Sequence, residues 1–313
     1  MFDSVAFGSL PRLRAIVERA RKLAPISVAV VDAGEEHVLI GVHEAALAGL
    51  IEPLLIGKRR DIDRIWERLN FGTQVYPVIA ADSEQDAAEQ GVQQVLAGRA
   101  AALMKGWIHT DVLMHPVLAQ LRSTRRLSHI FLVELATYHK LLFVTDAAIN
   151  IAPDLLTKAA IIQNAVDLAR LLGIDRPKVA ALAAVEVVNP ALSSTLDAAC
   201  LSKMADRGQI RHAIVDGPLA FDIAISSEAA RTKQINSEVA GDVDILLVPD
   251  ITSGNILAKD LEYLASATMA GIVVGGKVPI ILTSRSDPPS ARLASAALAV
   301  LVQRYWDNGN SAE

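Results

Sequence analysis

Short runs of β-branched and other apolar residues alternate with longer stretches of helical periodicity along this chain of 313 residues. That alternation predicts an α/β fold with a mostly parallel sheet, because parallel strands need crossover connections, which are usually helices. The predicted strands cover residues 26–32, 53–57, 76–82, 101–106, 129–135, 141–146, 178–186, 211–217, 243–250, 270–276 and 278–284. The predicted helices include 9–23, 83–97, 154–172, 194–207, 256–269 and 289–304. Several strands are apolar throughout, which is typical of strands covered on both faces.

Length and composition predict two domains with closely packed interiors. The chain is longer than one usual domain, and it is 52% hydrophobic but only 4% aromatic. Small side chains allow helices and sheets to approach closely. Regular structure is interrupted near 146–154 and again near 284–290, where two prolines open the last helix. We therefore expect a first domain over 1–146 plus 287–313 and a second, inserted domain over 147–286.

Composition also excludes several classes of function. A net charge of −5 argues against a general nucleic-acid-binding surface. The longest apolar stretches are too short to span a bilayer and no signal peptide is evident, so we expect a cytoplasmic protein without a membrane partner. The single cysteine, Cys200, forms no intrachain disulfide and is expected to be a buried structural thiol. The seven histidines show no ligand spacing, so no metal site is expected.

Two nucleotide-binding motifs are absent. The segment "GIVVGGKV" (271–278) nearly matches a phosphate-binding P-loop, but Val278 stands where a hydroxyl would hold magnesium. Lys277 also leads into a predicted strand, where the motif requires a helix. No G-x-G-x-x-G follows an early strand, so the dinucleotide fingerprint is missing as well.

Polar residues fall at the carboxyl ends of the predicted strands, where open α/β sheets bind ligands. They are Asp32, Asp82, Lys105, Asp146, Glu186, Asp216, Asp250 and Ser284. Capping of the next helix is the competing interpretation for the aspartates and the serine. In the loop "MKGWIHTD", Lys105 supplies a positive charge, Gly106 lets the backbone approach a ligand, and Thr110 is predicted to cap a helix.

Two further loops complete a predicted anion site. In "PDITSGN" (249–255), Ser253, Gly254 and Asn255 are expected to open a helix with free backbone amides. In "TSRSDPPS" (283–290), Ser284 and Arg285 stand between a strand and a helix that begins with proline. Arginine suits bidentate recognition of phosphate, and a hydroxyl with helix amides completes a cradle.

At these residues the chain resembles the phosphate acetyltransferase/phosphate butyryltransferase family, and more its butyryl branch. The resemblance covers about residues 100 to 302. It rests on long ordered blocks, which are more specific than any single motif. The blocks are "ALMKGWIHTDVL", "LLFVTDAAINIAPDL", "KVAALAAVEVVNPALSSTLDAACLSKM", "AIVDGPLAFDIAIS", "VAGDVDILLVPDITSGNILAK" and "AGIVVGGKVPIILTSRSD".

The resemblance implies a two-domain fold shared with the isocitrate and isopropylmalate dehydrogenases, with an interdomain cleft. It also implies the reversible reaction of a short-chain acyl-CoA with inorganic phosphate to give acyl phosphate and free coenzyme A. The Ser-Arg pair of the family, here Ser284-Arg285, would handle the phosphoryl group and the thioester carbonyl. Coenzyme A is then a substrate, bound with help from Ser253, Gly254 and Asn255, and no tightly bound cofactor is expected. Family members are homo-oligomers.

We expect direct transfer in a ternary complex, in which Arg285 and Lys105 hold the phosphate and Ser284 stabilises the tetrahedral oxyanion. The chain departs from the acetyl enzymes, which carry a proposed aspartate base two turns beyond the Ser-Arg pair. Here the matching stretch is Ser290-Ala291-Arg292. Asp287 is an alternative base, for which a helix-capping role before Pro288 competes.

A second departure lies in the segment after the first phosphate loop. Where the acetyl enzymes have an arginine before a proline, this chain has His115-Pro116, with Arg122, Arg125 and Arg126 as candidate replacements.

Two other functions stay open on the sequence alone. One is a metal- and NAD-dependent β-decarboxylating dehydrogenase on the same fold, although the chain lacks the cluster of aspartates that such an enzyme needs. The other is a noncatalytic acyl-CoA sensor that has lost the base.

Overall fold

The computed structural model describes residue 7 and residues 10–71, 76–283 and 287–309. The chain separates into two compact units, of which unit 1 comprises Met1–Arg125 and Ala270–Glu313 and unit 2 comprises Arg126–Met269. The chain thus leaves unit 1 once and returns to it. The units change after Arg125 and after Met269. The sequence placed the two domain boundaries later, after residues 146 and 286.

Every predicted strand overlaps an observed one. The strands are β1 (Ile26–Val31), β2 (Ile51–Gly57), β3 (Val78–Ala80), β4 (Ala102–Lys105), β5 (Ser128–Glu134), β6 (Leu142–Thr145), β7 (Lys178–Leu182), β8 (Ile214–Leu219), β9 (Ile245–Leu247), β10 (Thr268–Val274) and β11 (Ile280–Ile281). The helices are α1 (Pro11–Ala20), α2 (Glu36–Leu47), α3 (Arg59–Leu69), α4 (Glu84–Leu96), α5 (Thr110–Gln120), α6 (Leu155–Leu171), α7 (Ser193–Asp206), α8 (Phe221–Ile225), α9 (Ser227–Thr232), α10 (Ile251–Tyr263) and α11 (Pro289–Asp307).

In unit 1 the strands lie in the order β3-β2-β1-β4-β11-β10. All neighbours are parallel except β10 and β11, which form an antiparallel pair. The mostly parallel α/β architecture predicted from the alternation is confirmed. Strand β4 is buried at all four positions, as expected for a strand covered on both faces.

Helix α11 returns to the core of unit 1. Residues 294–302 are buried without interruption, and four of these nine are alanine. A helix that is apolar on every side lies inside a protein, and small side chains let neighbouring elements approach it closely. The helix begins at Pro289, as the proline pair predicted.

In unit 2 the strands lie in the order β5-β6-β9-β7-β8. Strands β5 and β6 are antiparallel, and β6, β9, β7 and β8 follow in parallel. These pairings explain the position of the first unit boundary, because β5 and β6 pair within unit 2 although they precede residue 146. At the second boundary, β11 pairs with β4 and β10, so it belongs to unit 1.

Two sequence predictions are wrong at the level of single elements. The helix predicted over 256–269 runs over Ile251–Tyr263, because the Asp250 side chain accepts the Ser253 amide and starts the helix there. Cys200 is exposed instead of buried. The buried face of α7 is formed by Thr195, Ala198 and Leu201, and at 3.6 residues per turn Cys200 falls outside that face.

Candidate functional site

The turn after β4 brings Lys105 and Gly106 against the end of β1. The Gly106 amide donates to the Val31 carbonyl oxygen at 2.9 Å, and the Trp107 amide donates to the Asp32 carbonyl oxygen at 2.8 Å. A Cβ atom added to Gly106 would lie closer than 3.0 Å to both carbonyl oxygens, so no side chain fits there. Asp32 itself takes a left-handed backbone conformation, with φ of 57°. Gly106 thus permits a close approach between two segments of the chain, and its predicted approach to a ligand stays a prediction.

A narrow cavity lies beside this turn, entirely within unit 1. Its polar lining includes Glu35, His37, Lys105, Thr283 and Arg292. Val38, Val42, Met104 and Trp107 contribute apolar surface. The cavity volume is about 30 Å³, which is room for roughly two water molecules. The cavity therefore combines two cations, one carboxylate and an apolar wall.

Lys105 is 8% exposed and extends from the last position of β4. Its Nζ lies 3.5 Å from the Gly106 carbonyl oxygen, which is long for a hydrogen bond. A buried ammonium is costly unless charge or hydrogen bonds compensate it. A bound anion would supply such compensation, and the anion-binding role of Lys105 stays a prediction.

Arg292 reaches the same cavity from the first turn of α11. Its Nη1 donates to the His37 carbonyl oxygen at 2.7 Å. Glu35, across the cavity, caps α2 by accepting the Val38 amide on Oε2 at 3.0 Å. The sequence reasoning assigned no role to Glu35, His37 or Trp107. A sequence signal existed for Glu35, which follows a predicted strand and precedes helical periodicity.

The predicted capping role of Thr110 is wrong. The N-cap of α5 is His109, and Thr110 is the first residue of the helix. The Glu84 carboxylate, from the first residue of α4, accepts the His109 amide at 3.1 Å and satisfies the entry to α5. Thr110 is half-buried and stays a candidate for phosphate binding through its hydroxyl.

In unit 2, the free amides expected near Ser253 are not free. The Ser253 amide donates to Asp250 Oδ1 at 2.9 Å, and the Gly254 amide donates to the Asp250 carbonyl oxygen at 3.1 Å. Gly254 is buried where α10 meets the loop after β6, and an added Cβ would lie 2.9 Å from the Asp146 carbonyl oxygen. Asn255 is exposed. Of these three residues, Asn255 offers the most accessible side chain for coenzyme A.

The Ser284-Arg285 pair lies outside the described residues. The next residue that the structure describes is Asp287, which is half-buried. Pro288 is the N-cap of α11 and has no side-chain capping bond, so Asp287 does not occupy the capping position that was the alternative to its catalytic role. Two residues of the stretch that replaces the aspartate of the acetyl enzymes, Ser290 and Ala291, are buried in α11.

A second polar cluster lies at the carboxyl end of β6, where the sequence placed Asp146 but did not indicate its partners. Asp146 Oδ1 accepts the amides of Ala148 and Ile149, at 2.9 and 3.0 Å. Its Oδ2 accepts the Asn150 side-chain amide at 2.6 Å, and Arg126 Nε donates to Asn150 Oδ1 at 2.8 Å. The block "VTDAAIN" was the available signal. Arg126 thus holds the Asn150 side chain through its Nε, and its contact with phosphate stays a prediction.

His129, at the start of β5, lies beside that cluster. Its backbone amide donates to Asp146 Oδ2 at 3.2 Å, but within the described residues neither ring nitrogen has a hydrogen-bond partner. Burial lowers the pKa of His129 to about 4, and the negative charge of Asp146 opposes that shift only in part. The imidazole is therefore neutral at physiological pH.

Two features are absent from the described part of the chain. In the parts of the chain that the structure describes, no group of three or more histidine, cysteine, aspartate or glutamate side chains is arranged to hold a metal ion. None of the helices in the described ranges has both the length and the apolar character needed to cross a bilayer.

Comparison with known proteins gives one consistent result. The family described as phosphate acetyl/butaryl transferase matches residues 68–300. A phosphate acetyltransferase of Rickettsia prowazekii (strain Madrid E) is 49% identical over 288 residues, covering 91% of this chain and 82% of that protein. A phosphate butyryltransferase of Clostridium acetobutylicum is 40% identical over 287 residues, covering 91% of this chain and 95% of that protein.

A solved structure agrees with these sequence relatives. The crystal structure of a branched-chain phosphotransacylase from Enterococcus faecalis V583 superposes with a TM-score of 0.76 at 32% identity, covering 89% of this chain and 99% of that one. The two identities, 49% to the acetyl enzyme and 40% to the butyryl enzyme, do not favour the butyryl branch that the sequence blocks suggested.

Proposed function

This chain belongs to the phosphate acetyl/butaryl transferase family and is an acyltransferase, and on that premise we propose how its residues divide the reaction. The substrates are a short-chain acyl-CoA and inorganic phosphate, and the products are an acyl phosphate and free coenzyme A. The observation that carries the proposal is the turn at Lys105 and Gly106. It holds a buried cation at the end of a parallel strand, where α/β proteins bind anionic ligands.

The chemical step is a direct attack within a ternary complex. A phosphate oxygen forms a bond to the thioester carbonyl carbon, and the carbonyl oxygen becomes a tetrahedral oxyanion. The oxyanion then collapses, the carbon–sulfur bond breaks, and coenzyme A leaves as the thiolate. In the reverse direction the coenzyme A thiol, by analogy with cysteine (pKa about 8.5), must lose its proton before it attacks the acyl phosphate.

We assign the roles as follows. Arg285 and Lys105 hold the phosphate dianion in line with the carbonyl carbon, which converts a bimolecular encounter into a positioned reaction. Ser284 donates to the developing oxyanion, a contribution that is typically about 3–4 kcal/mol for one donor. Asp287 is the candidate base for the coenzyme A thiol, supported by its half-buried position away from the capping site.

The remaining predicted contacts concern the substrates. Gly106, which follows Lys105 directly, and Thr110, the first residue of α5, complete the proposed phosphate site. Ser253, Gly254 and Asn255 are the proposed contacts for coenzyme A. The exposed Asn255 takes the larger part, because the backbone amides of the other two already donate to Asp250.

Other expectations extend the proposal. We propose that coenzyme A acts only as a substrate, that no cofactor is tightly bound, that the protein is a homo-oligomer, and that it works in the cytoplasm. The shared fold with the isocitrate and isopropylmalate dehydrogenases stays a prediction. Neither a dehydrogenase nor a noncatalytic sensor finds support in the transferases to which this chain is similar.

A thiol assay tests the proposed reaction. Acetyl-CoA or butyryl-CoA is incubated with the protein in the presence and absence of inorganic phosphate, and free coenzyme A is followed with a colorimetric thiol reagent. Release that depends on phosphate is expected. Equal release without phosphate would indicate a thioesterase and overturn the proposal. Repeating the assay from acetyl- to hexanoyl-CoA then measures the preferred chain length. One methylene changes the free energy of discrimination between two acyl chains by about 1–3 kcal/mol.

A further inference from the structure

We infer that Arg292 is a phosphate-binding residue, which together with Lys105 forms a two-cation subsite for inorganic phosphate in the cavity of unit 1. The inference rests on the proposed function, since it names the group that would bind one of the two substrates. It concerns a residue to which the sequence comparison assigned no role of its own.

The position of the Arg292 side chain is defined from two sides. Its Nη1 donates to the His37 carbonyl oxygen at 2.7 Å. Its aliphatic part crosses α2 at Gly41, where an added Cβ would lie only 2.7 Å from Arg292 Cδ. The glycine and the carbonyl oxygen therefore guide the guanidinium into the cavity that Lys105 also lines.

Helix stability does not explain an arginine at this position. Arg292 is in the first turn of α11, which contains no acidic residue. A cation there faces the positive end of the helix dipole, an arrangement that is unfavourable. The cavity is also lined by Glu35, His37 and Val38, from the beginning of α2, so the positive end of a second helix faces it. A bound anion would interact favourably with both helices and both side chains.

Two carboxyl groups, those of Glu35 and Glu44, lie near the Arg292 side chain. Glu35 Oε2 accepts the Val38 amide. Burial raises the pKa of Glu44, and the charge of Arg292 opposes that shift, which places this second carboxyl group near the guanidinium. The groups that face Arg292 from α2 are thus Glu35, His37 and Glu44. The lining of the cavity itself combines two cations with one carboxylate.

The two cationic side chains that line the cavity suit a phosphate dianion. Arginine donates two parallel hydrogen bonds to phosphate oxygens, and lysine adds a point charge. Because coenzyme A also carries phosphate groups, the experiment must separate the two sources of phosphate.

The principal test compares Michaelis constants. In R292Q, the KM for inorganic phosphate at saturating butyryl-CoA is expected to rise roughly 10- to 100-fold, the usual effect of losing hydrogen bonds to a charged group. The KM for butyryl-CoA should stay within about threefold. R292K keeps the positive charge but lacks the paired N–H donors of the guanidinium, so its KM for phosphate should be intermediate. A rise in the butyryl-CoA constant alone would indicate a coenzyme A phosphate and overturn the inference, as would an unchanged phosphate constant.

Failure of the proposed function would look different, because the wild-type protein would then show no phosphate-dependent release of thiol at all. The matched control is R304Q, on the same helix. Arg304 also donates to backbone carbonyl oxygens, those of Ala24 and Pro25, but it does not line the cavity. A phosphate constant raised equally in R304Q and R292Q would show a general effect on α11 and overturn the inference.

A second variant reaches the same group from another element. G41A should displace the Arg292 side chain and raise the phosphate KM at least threefold, although alanine is the better helix former. In an R292A background the same change should have no further effect, because the side chain it displaces is gone. Additive effects would show that Gly41 acts independently of Arg292 and count against the inference. Protection of the wild-type protein against heat by inorganic phosphate, absent in R292Q, gives a readout without turnover.

Discussion

Gly106 and Val31 are joined backbone to backbone by a hydrogen bond of 2.9 Å, at a separation that leaves no room for a Cβ on the glycine. This contact ties the loop after β4 to the end of β1. It thereby determines where the side chain of the neighbouring Lys105 lies, and Lys105 is the cation that both the sequence pattern and the structure place at the end of a parallel strand.

The first prediction concerns this contact. G106A should destabilise the protein by about 1–3 kcal/mol, because the backbone must move to relieve the collision. Phosphate-dependent turnover should fall at least tenfold as Lys105 is displaced. Thermal unfolding and steady-state kinetics measure the two effects. G34A is the control, since its added Cβ would make an ordinary contact at 3.4 Å with Asp61. Equal stability of the two variants would contradict the packing argument.

Removing the charge of Lys105 should weaken phosphate binding without unfolding the protein. K105M keeps an unbranched side chain in the buried position and removes the ammonium, so KM for phosphate is expected to rise by about tenfold or more. Kinetics at varied phosphate and constant acyl-CoA provide the measurement. K277M removes an exposed lysine of the same unit and should behave as the wild type. If both variants kept the wild-type constant, Lys105 would have no part in phosphate binding.

The Ser284-Arg285 pair is predicted to act on the reacting groups. S284A should reduce kcat by about 10²- to 10³-fold, the usual loss when one oxyanion donor is removed. R285A should lower both kcat and the apparent affinity for phosphate, because the arginine holds the dianion in the attacking position. Thermal unfolding close to that of the wild type would show that the fold is retained. Wild-type turnover in R285A would remove the arginine from the mechanism.

His129 should make stability depend on pH. Its pKa is about 4 in the folded protein and 6.5 in the unfolded chain, so between these values the unfolded state binds more protons. The contribution of neutral His129 to the free energy of unfolding is therefore complete above pH 6.5. It is lost as the pH falls toward 4, and the free energy of unfolding decreases by at most about 1.4 kcal/mol per pH unit.

Thermal midpoints of the wild type and of H129L, measured between pH 7.5 and 4.5, test this expectation. The thermal midpoint of the wild type should fall relative to that of H129L as the pH falls, because leucine has no proton to bind. H115L, at an exposed histidine, is the control for removal of an imidazole. Parallel pH profiles of H129L and the wild type would exclude His129 as the titrating group.

The regular elements were the most predictable part of this protein. Strand β4 reads as a continuous apolar run ending in Lys105, and burial on both faces requires that pattern. Helix α11 begins at Pro289 because proline has the backbone angle of a first helical residue and no amide to satisfy. Both signals are local, so one chain segment contains all the information needed to interpret them.

The loops were less predictable, because more than one hydrogen-bond partner competes for each loop amide. Thr110 looks like a helix cap in isolation, yet Glu84 from another helix accepts the amide at the entry to α5, and a local pattern does not record that contact. Ser253 looks like an open anion site, yet Asp250, three residues earlier, accepts its amide. Here the pattern contained both candidates, and only the structure shows that the capping interpretation of Asp250 holds.

The sequence by itself determined the α/β class, the order of strands and helices along the chain, the family, and the loop that carries Lys105. Only the tertiary structure decided that Arg292 lines the same cavity as Lys105, since these residues are far apart in the chain and meet through the packing of α11 on α2. Periodicity and strand ends follow from short-range geometry. The composition of a cavity follows from packing between elements, which depends on contacts that no local pattern records.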